Sequence, residues 1–126
     1  AKSERLFRPG DRVVDLGAWP GSWLQVAAPL VGERGRVVGV DLRPVPPLGM
    51  RQVEVLVGDV AQPAIEERVW QLCGGPADVV LSDLAPALSG IKARDEAEAA
   101  RLLEIVLRYC QRGLRRDGTL LCKLFM

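Results

Sequence analysis

Three aspartates, Asp41, Asp59 and Asp83, each close a short apolar run, and a lysine, Lys123, interrupts another. Carboxylates at the carboxyl ends of parallel strands stand where open α/β sheets bind their ligands. The two oxygens of Asp41 suit a pair of ribose hydroxyls, and Asp59 suits an exocyclic adenine amine. Each also has a plainer reading: a solvated strand-end acid for Asp41, a turn for Gly58-Asp59. Lys123 is costly to bury unless paired or functional, although a lysine at a strand end also snorkels to solvent.

The other chemical stretch is Val13-Val14-Asp15-Leu16-Gly17-Ala18-Trp19-Pro20-Gly21-Ser22-Trp23-Leu24-Gln25-Val26-Ala27, an apolar strand running into a glycine turn and a helix. Gly17 and Gly21 let the backbone turn sharply and lie against a ligand where a Cβ would collide. Their Gly-x-x-x-Gly spacing is neither the dinucleotide fingerprint nor a phosphate loop, which disfavours nicotinamide and nucleoside triphosphate sites. Glycines that merely serve a strand-to-helix turn are the alternative.

The elements that position these residues follow in order. Arg8-Pro9-Gly10-Asp11 turns the chain into a first strand at about 12–17, and a helix over about 20–31 ends at Gly32. Arg36 to Asp41 reads as the second strand, and a strand-helix-strand unit this short implies a parallel pair with a right-handed crossover. Pro44, Pro46 and Pro47 exclude regular structure between residues 42 and 49. Val53 to Val57 is the third strand, and a covering helix runs from Pro63 to about Leu72, closed by Gly74-Gly75-Pro76. Asp78 to Asp83 is a buried fourth strand, and Pro86 keeps the loop after it extended. Asp95 and Glu98 predict a capping box at the start of the longest helix, whose apolar face is Leu102, Leu103, Val106, Leu107, Cys110 and Leu114. Asp117-Gly118 then predicts a turn into a fifth strand, Thr119 to Phe125.

The 126 residues make one domain, and 48% hydrophobic with 26% charged residues is ordinary globular composition. A net charge of +1 gives no global attraction for nucleic acid, so any such surface is local. Candidates are Lys2, Arg5, Arg8 and Arg12, Arg43 and Arg51, Lys92 and Arg94, and Arg112, Arg115 and Arg116, most of which also read as solvated surface. Without histidine or clustered cysteine, zinc sites and histidine-dependent nucleophilic catalysis are excluded. Cys73, Cys110 and Cys122 read as small buried hydrophobes of a reducing compartment. No signal peptide and no long apolar run appear, which predicts a chain without a membrane partner.

Together these residues resemble the FtsJ-type ribosomal RNA 2′-O-methyltransferases. Asp15 to Ala27 is similar to that family's Asp-Leu-Gly-Ala-Ala-Pro-Gly-Gly-Trp-Ser-Gln-Val-Ala loop. Ser82-Asp83-Leu84-Ala85-Pro86 with Ser89-Gly90 is similar to its Ser-Asp-Met-Ala-Pro-Asn-x-Ser-Gly segment, and Cys122-Lys123-Leu124-Phe125 to its Val-Lys-Val-Phe strand. Leu6-Phe7-Arg8-Pro9-Gly10 extends the match over nearly the whole chain. The resemblance implies S-adenosyl-L-methionine as cofactor and a ribose 2′-hydroxyl of ribosomal RNA, in the large subunit, as methyl acceptor. It implies cofactor-binding roles for Gly17, Gly21, Trp23, Asp41, Asp59 and Asp83, with Gly21 and Trp23 on the methionine and sulfonium side. Asp83 is also implied beside the reacting centre, with Lys123 as the catalytic lysine.

The sequence departs from that pattern at Trp19, which either crowds the cofactor or swings outward, at Ser22, and at Ala87 in place of asparagine. The family's second lysine before the first strand and its glutamate after the fifth have no counterpart, and there is no amino-terminal methionine. The chain is therefore expected to be the core of a longer protein, truncated at both ends. The fold expected is α/β, a Rossmann-like methyltransferase sheet in the order 3-2-1-4-5 with helices on both faces and its C-terminal strands missing. An uncovered fifth strand predicts self-association. Alternatives to RNA ribose methylation are a catalytically impaired cofactor- or RNA-binding module, and a methyltransferase for another RNA or a small molecule. The expected partners are ribosomal RNA and the large ribosomal subunit, with no metal, in the cytoplasm, or in mitochondria if the source is eukaryotic.

Overall fold

The computed structural model describes residues 6–85 and 88–123. Lys2, Arg5, Pro86, Ala87, Leu124 and Phe125 lie outside that range.

Strands β1 (Arg12–Leu16), β2 (Arg36–Asp41), β3 (Val53–Val57), β4 (Ala77–Ser82) and β5 (Leu114–Cys122) alternate with helices α1 (Ser22–Val31), α2 (Pro63–Cys73) and α3 (Lys92–Gly113). They form one parallel sheet in the order β3-β2-β1-β4-β5. This is the order expected from the sequence. β1 lies at the centre with Val13, Val14 and Leu16 fully buried, because strands covered on both faces read as continuous apolar runs rather than alternating ones.

The two faces carry separate cores. Val13, Val37, Val79 and Leu81 pack with Phe7 under α1, while Val14, Leu16, Val38, Val40 and Val80 pack under α2 and α3. Helix α2 starts with Pro63, whose absent N–H is no loss at a first helical position, and Gly74 caps its other end in the left-handed conformation.

Helix α3 differs from its sequence reading in three ways. It begins at Lys92, three residues before Asp95, and no side chain caps it. Asp95 instead accepts hydrogen bonds from Ser89 N–H (2.8 Å), Ser89 Oγ (2.8 Å) and Gly90 N–H (3.2 Å), while Glu98 pairs with Arg101. An aspartate one turn inside a helix can order the preceding loop, and this competes with the capping box. The buried face is also rotated: Ile105, Val106 and Tyr109 are buried, whereas Leu107 is 43% exposed. The Tyr109 hydroxyl decides that rotation by donating to Val60 O at 2.8 Å.

β5 starts directly at Leu114, without a separate turn. Leu114 pairs with Ala77 but Thr119 pairs with Val79, so Asp117-Gly118 sits in an irregularity on the β5 side. Lys123 lies one residue beyond the strand and is exposed.

Candidate functional site

The glycine turn, Asp41, Asp83 and Lys123 converge on the carboxyl edge of the sheet. Gly17 leaves β1 at φ +85°, and a Cβ there would come within 3.0 Å of the Asp83 carbonyl carbon and oxygen. Only glycine tolerates both the conformation and the approach. Asp83 is fixed from the other side, since its N–H donates to Leu16 O at 3.0 Å. Gly21 sits at φ +106° immediately before α1, where no side chain caps the helix and no acid occupies the first turn. That helix start keeps orphan N–H donors.

Asp41 ends β2 with its carboxylate engaged: Oδ2 accepts Trp19 N–H and Oδ1 accepts Arg43 N–H, each at 2.9 Å. A carboxylate offers about four acceptor positions, so two such bonds leave room for ligand hydroxyls. Trp19 has taken the outward course, 41% exposed, with the Arg43 guanidinium 3.6 Å over its ring. The Trp19-Pro20 peptide is cis.

Trp23, Ser82, Asp83, Cys122 and Lys123 line a single cavity of about 440 Å³ together with Leu81 and Leu121. Trp23 is steadied edge-on against Phe7, ring centroids 6.0 Å apart. Lys123 continues the backbone ladder, its N–H donating to Ser82 O at 2.9 Å, so lysine and aspartate reach this cavity from adjacent strands. Asp59 lies outside this cavity but next to Asp41, to whose carbonyl the preceding Gly58 N–H donates at 2.9 Å. It is exposed beyond β3, and its Oδ1 accepts the Ala61 N–H at 2.9 Å, the geometry of the turn reading.

One acid carries more than its sequence reading assigned. Asp15 was read only as part of the glycine-loop strand, yet it is 1% exposed and its Oδ1 has no hydrogen-bond partner among the described residues. Burial pushes its carboxyl up to about 7, and the charges of Asp83 and Asp41 add to the shift. The signal in the sequence is its place: an acid one residue before the end of a strand buried on both faces. The Trp19-Arg43 stack was also missed, for its two members lie on different loops. Among the described residues, no group of three His, Cys, Asp or Glu could hold a metal ion, and no helix is long and apolar enough to cross a membrane.

Comparison with known proteins places this geometry in a family. A ribosomal RNA large subunit methyltransferase E of Syntrophobacter fumaroxidans is 47% identical over 121 residues, 96% of this chain and 61% of that protein. The protein of the same name from Methanothermobacter thermautotrophicus is 44% identical over 121 residues, again 96% of this chain and 57% of its own. The chain thus spans roughly three-fifths of the length of these relatives. Among solved structures, one described as a ribosomal RNA methyltransferase of Plasmodium falciparum superposes with a TM-score of 0.78 at 21% identity, over 94% of this chain and 69% of that one. Fibrillarin of Aeropyrum pernix, solved with S-adenosyl-L-methionine bound, gives a TM-score of 0.66 at 22% identity, over 91% and 46%. At those identities the likeness is one of fold. The profile of the FtsJ-like methyltransferase family matches residues 1–126, and the chain belongs to that family.

Proposed function

We propose that residues 1–126 form a single catalytic domain that transfers a methyl group from S-adenosyl-L-methionine to a ribose 2′-hydroxyl of large-subunit ribosomal RNA. The observation that carries this reading is the meeting of the glycine turn, Asp41, Asp83 and Lys123 at one sheet edge, in a chain whose relatives bear that enzyme's name. The residues suit the cofactor. Glycines keep the backbone low where a ligand must lie close, an uncapped helix start offers N–H donors, and a partnerless buried carboxyl oxygen suits a cation.

S-adenosyl-L-methionine, when bound, supplies a methyl group carried on a sulfonium cation. Gly17 and Gly21 would shape the floor, Trp23 would flank the methionine side, Asp41 would take the ribose hydroxyls and Asp59 the adenine amine. Asp83 stands beside the reacting centre. Lys123 would serve the acceptor hydroxyl, which is a poor nucleophile until a partner draws on its proton. Orienting that hydroxyl is the larger part of the task. The reading puts the protein where ribosomes assemble, in the cytoplasm, or in mitochondria if the source is eukaryotic.

β5 is the outer strand of the described sheet and presents an unpaired edge, with Leu121 42% exposed. Such edges associate, and self-association follows. Light scattering from micromolar to millimolar protein should show mass rising above the monomer; a constant monomer mass overturns it.

Methyl transfer is tested with S-adenosyl-L-methionine labelled on its methyl group and unmethylated large-subunit RNA. Label should appear on a ribose 2′-oxygen, and Lys123→Ala should reduce the rate by about 10²- to 10⁴-fold while cofactor binding persists. Cofactor binding without transfer to any RNA would leave a non-catalytic binding module, and transfer to a base or a small molecule would move the acceptor elsewhere.

A further inference from the structure

We propose that Asp15 makes this site sensitive to the charge of its ligand: its carboxyl holds a proton in the ligand-free protein and gives it up to solvent when a net-positive ligand is seated. The inference rests on the cofactor reading above, in which the partnerless oxygen of Asp15 suits a cation, and adds a proton to that residue's role.

The argument begins with position. Asp15 lies on central β1 between Gly39 of β2 and Leu81 of β4, and strand alternation turns its side chain to the α1 face with Val13. There it is 1% exposed, with one oxygen lacking any partner among the described residues. A carboxylate so placed is unfavourable unless paired, whereas a neutral carboxyl is tolerated. Every strand beside it adds charge of one sign at this edge: Asp41 from β2 and Asp83 from the end of β4. The cations nearby face outward or belong to the acceptor side. Arg43 reaches Asp41 at 3.8 Å but is 62% exposed over Trp19, and Lys123 shares the cavity of Asp83. Helix α1, which covers this face, contains no charged residue. The charges of this edge are therefore more acid than base, and its innermost acid relieves the imbalance by keeping its proton.

A sulfonium cofactor reverses the balance. With sulfonium and ammonium positive and carboxylate negative, S-adenosyl-L-methionine carries a net charge of +1 by its functional groups, whereas its thioether product, S-adenosyl-L-homocysteine, is neutral overall. Seating the positive ligand favours ionised Asp15, whose O–H bond breaks as the proton passes to buffer. Seating the product does so less. The site then retains the charged cofactor and releases the spent one, more strongly as pH rises to neutrality.

Calorimetric titration in two buffers of different ionisation enthalpy counts the protons released. At pH 6 the parent should release most of one proton with S-adenosyl-L-methionine and clearly fewer with S-adenosyl-L-homocysteine. Its affinity for the former should rise about fivefold from pH 6 to 7, reach about tenfold by pH 8 and level off above it. Asp15→Asn keeps the shape of the side chain and should bind the cofactor with that release abolished. Asp41→Asn, by removing a neighbouring charge, should shift the pH step downward while release persists. Equal proton counts for the two ligands, or undiminished release in Asp15→Asn, overturn the inference while leaving the cofactor site intact. A folded parent that binds neither ligand at any pH overturns the cofactor reading itself.

Discussion

Two buried carboxylates, Glu66 and Asp15, stand on opposite faces of the same sheet and are treated in opposite ways. Glu66, 7% exposed on α2, has Arg108 at 3.5 Å and Arg112 at 3.7 Å, both from α3. Arg112 also bonds Glu67, so the two helices are joined by a small ionic network. Beside it the Tyr109 hydroxyl is satisfied by Val60 O. Asp15, at the edge that binds ligands in open α/β sheets, has other acids for neighbours. The structural face pairs its buried acid, although Trp70 Nε1 there also lacks a partner among the described residues; the functional edge leaves its buried acid unmatched. A buried group left unmatched calls for an explanation, and at a ligand-binding edge a ligand supplies one.

The largest effect expected from breaking this contrast is on Asp15. Its folded carboxyl titrates near 7 against an ordinary 3.8, so the folded state holds a proton that the unfolded chain has released at intermediate pH. Stability supplied by that proton is complete at low pH and is lost as pH rises towards 7. Over the whole window the loss amounts to about 4 kcal/mol at most. Asp15→Asn should therefore be more stable than the parent at pH 8 by up to that amount, and the two should converge near pH 4. Denaturant titrations across pH check this, and parallel curves for the two proteins would contradict it.

Glu66→Gln should have the opposite sign, losing about 1–2 kcal/mol because Arg108 and Arg112, themselves half exposed, keep water as an alternative partner. Tyr109→Phe should cost about 1 kcal/mol by leaving the Val60 carbonyl unpaired. Both are read from the midpoint of denaturation, and a stabilised Glu66→Gln would erase the distinction between the faces. The smallest effect belongs to Asp95, whose carboxyl is held below its ordinary value by the bonds from Ser89 and Gly90. Asp95→Ala should leave the melting temperature unchanged but speed hydrogen exchange at the Ser89 and Gly90 amides.

Which of these features the sequence displayed depends on how local their causes are. β2 and β3 were bounded correctly because an apolar run between turn residues carries its own limits. The strand order followed from short parallel connections and the family resemblance. The glycine turn, Asp41 and Asp83 were legible because a strand-end acid or a glycine announces itself within a few residues. The face of α3 was not, since Tyr109 is drawn inward by a carbonyl 49 residues away. Asp95 and Glu98 had capping-box spacing, yet the loop at Ser89 competed successfully for the aspartate. The isolation of Asp15 is collective, produced by three strands and a helix without charge, and no single stretch encodes it.

The most direct test of the central claim, that the carboxyl edge of the sheet is the cofactor site, is calorimetric titration with S-adenosyl-L-methionine of the parent and of Asp41→Ala. The account predicts saturable one-to-one binding by the parent and at least about tenfold weaker binding by Asp41→Ala, as the loss of a charged hydrogen-bond partner implies. Equal affinities for two folded proteins would put the ligand elsewhere and contradict it.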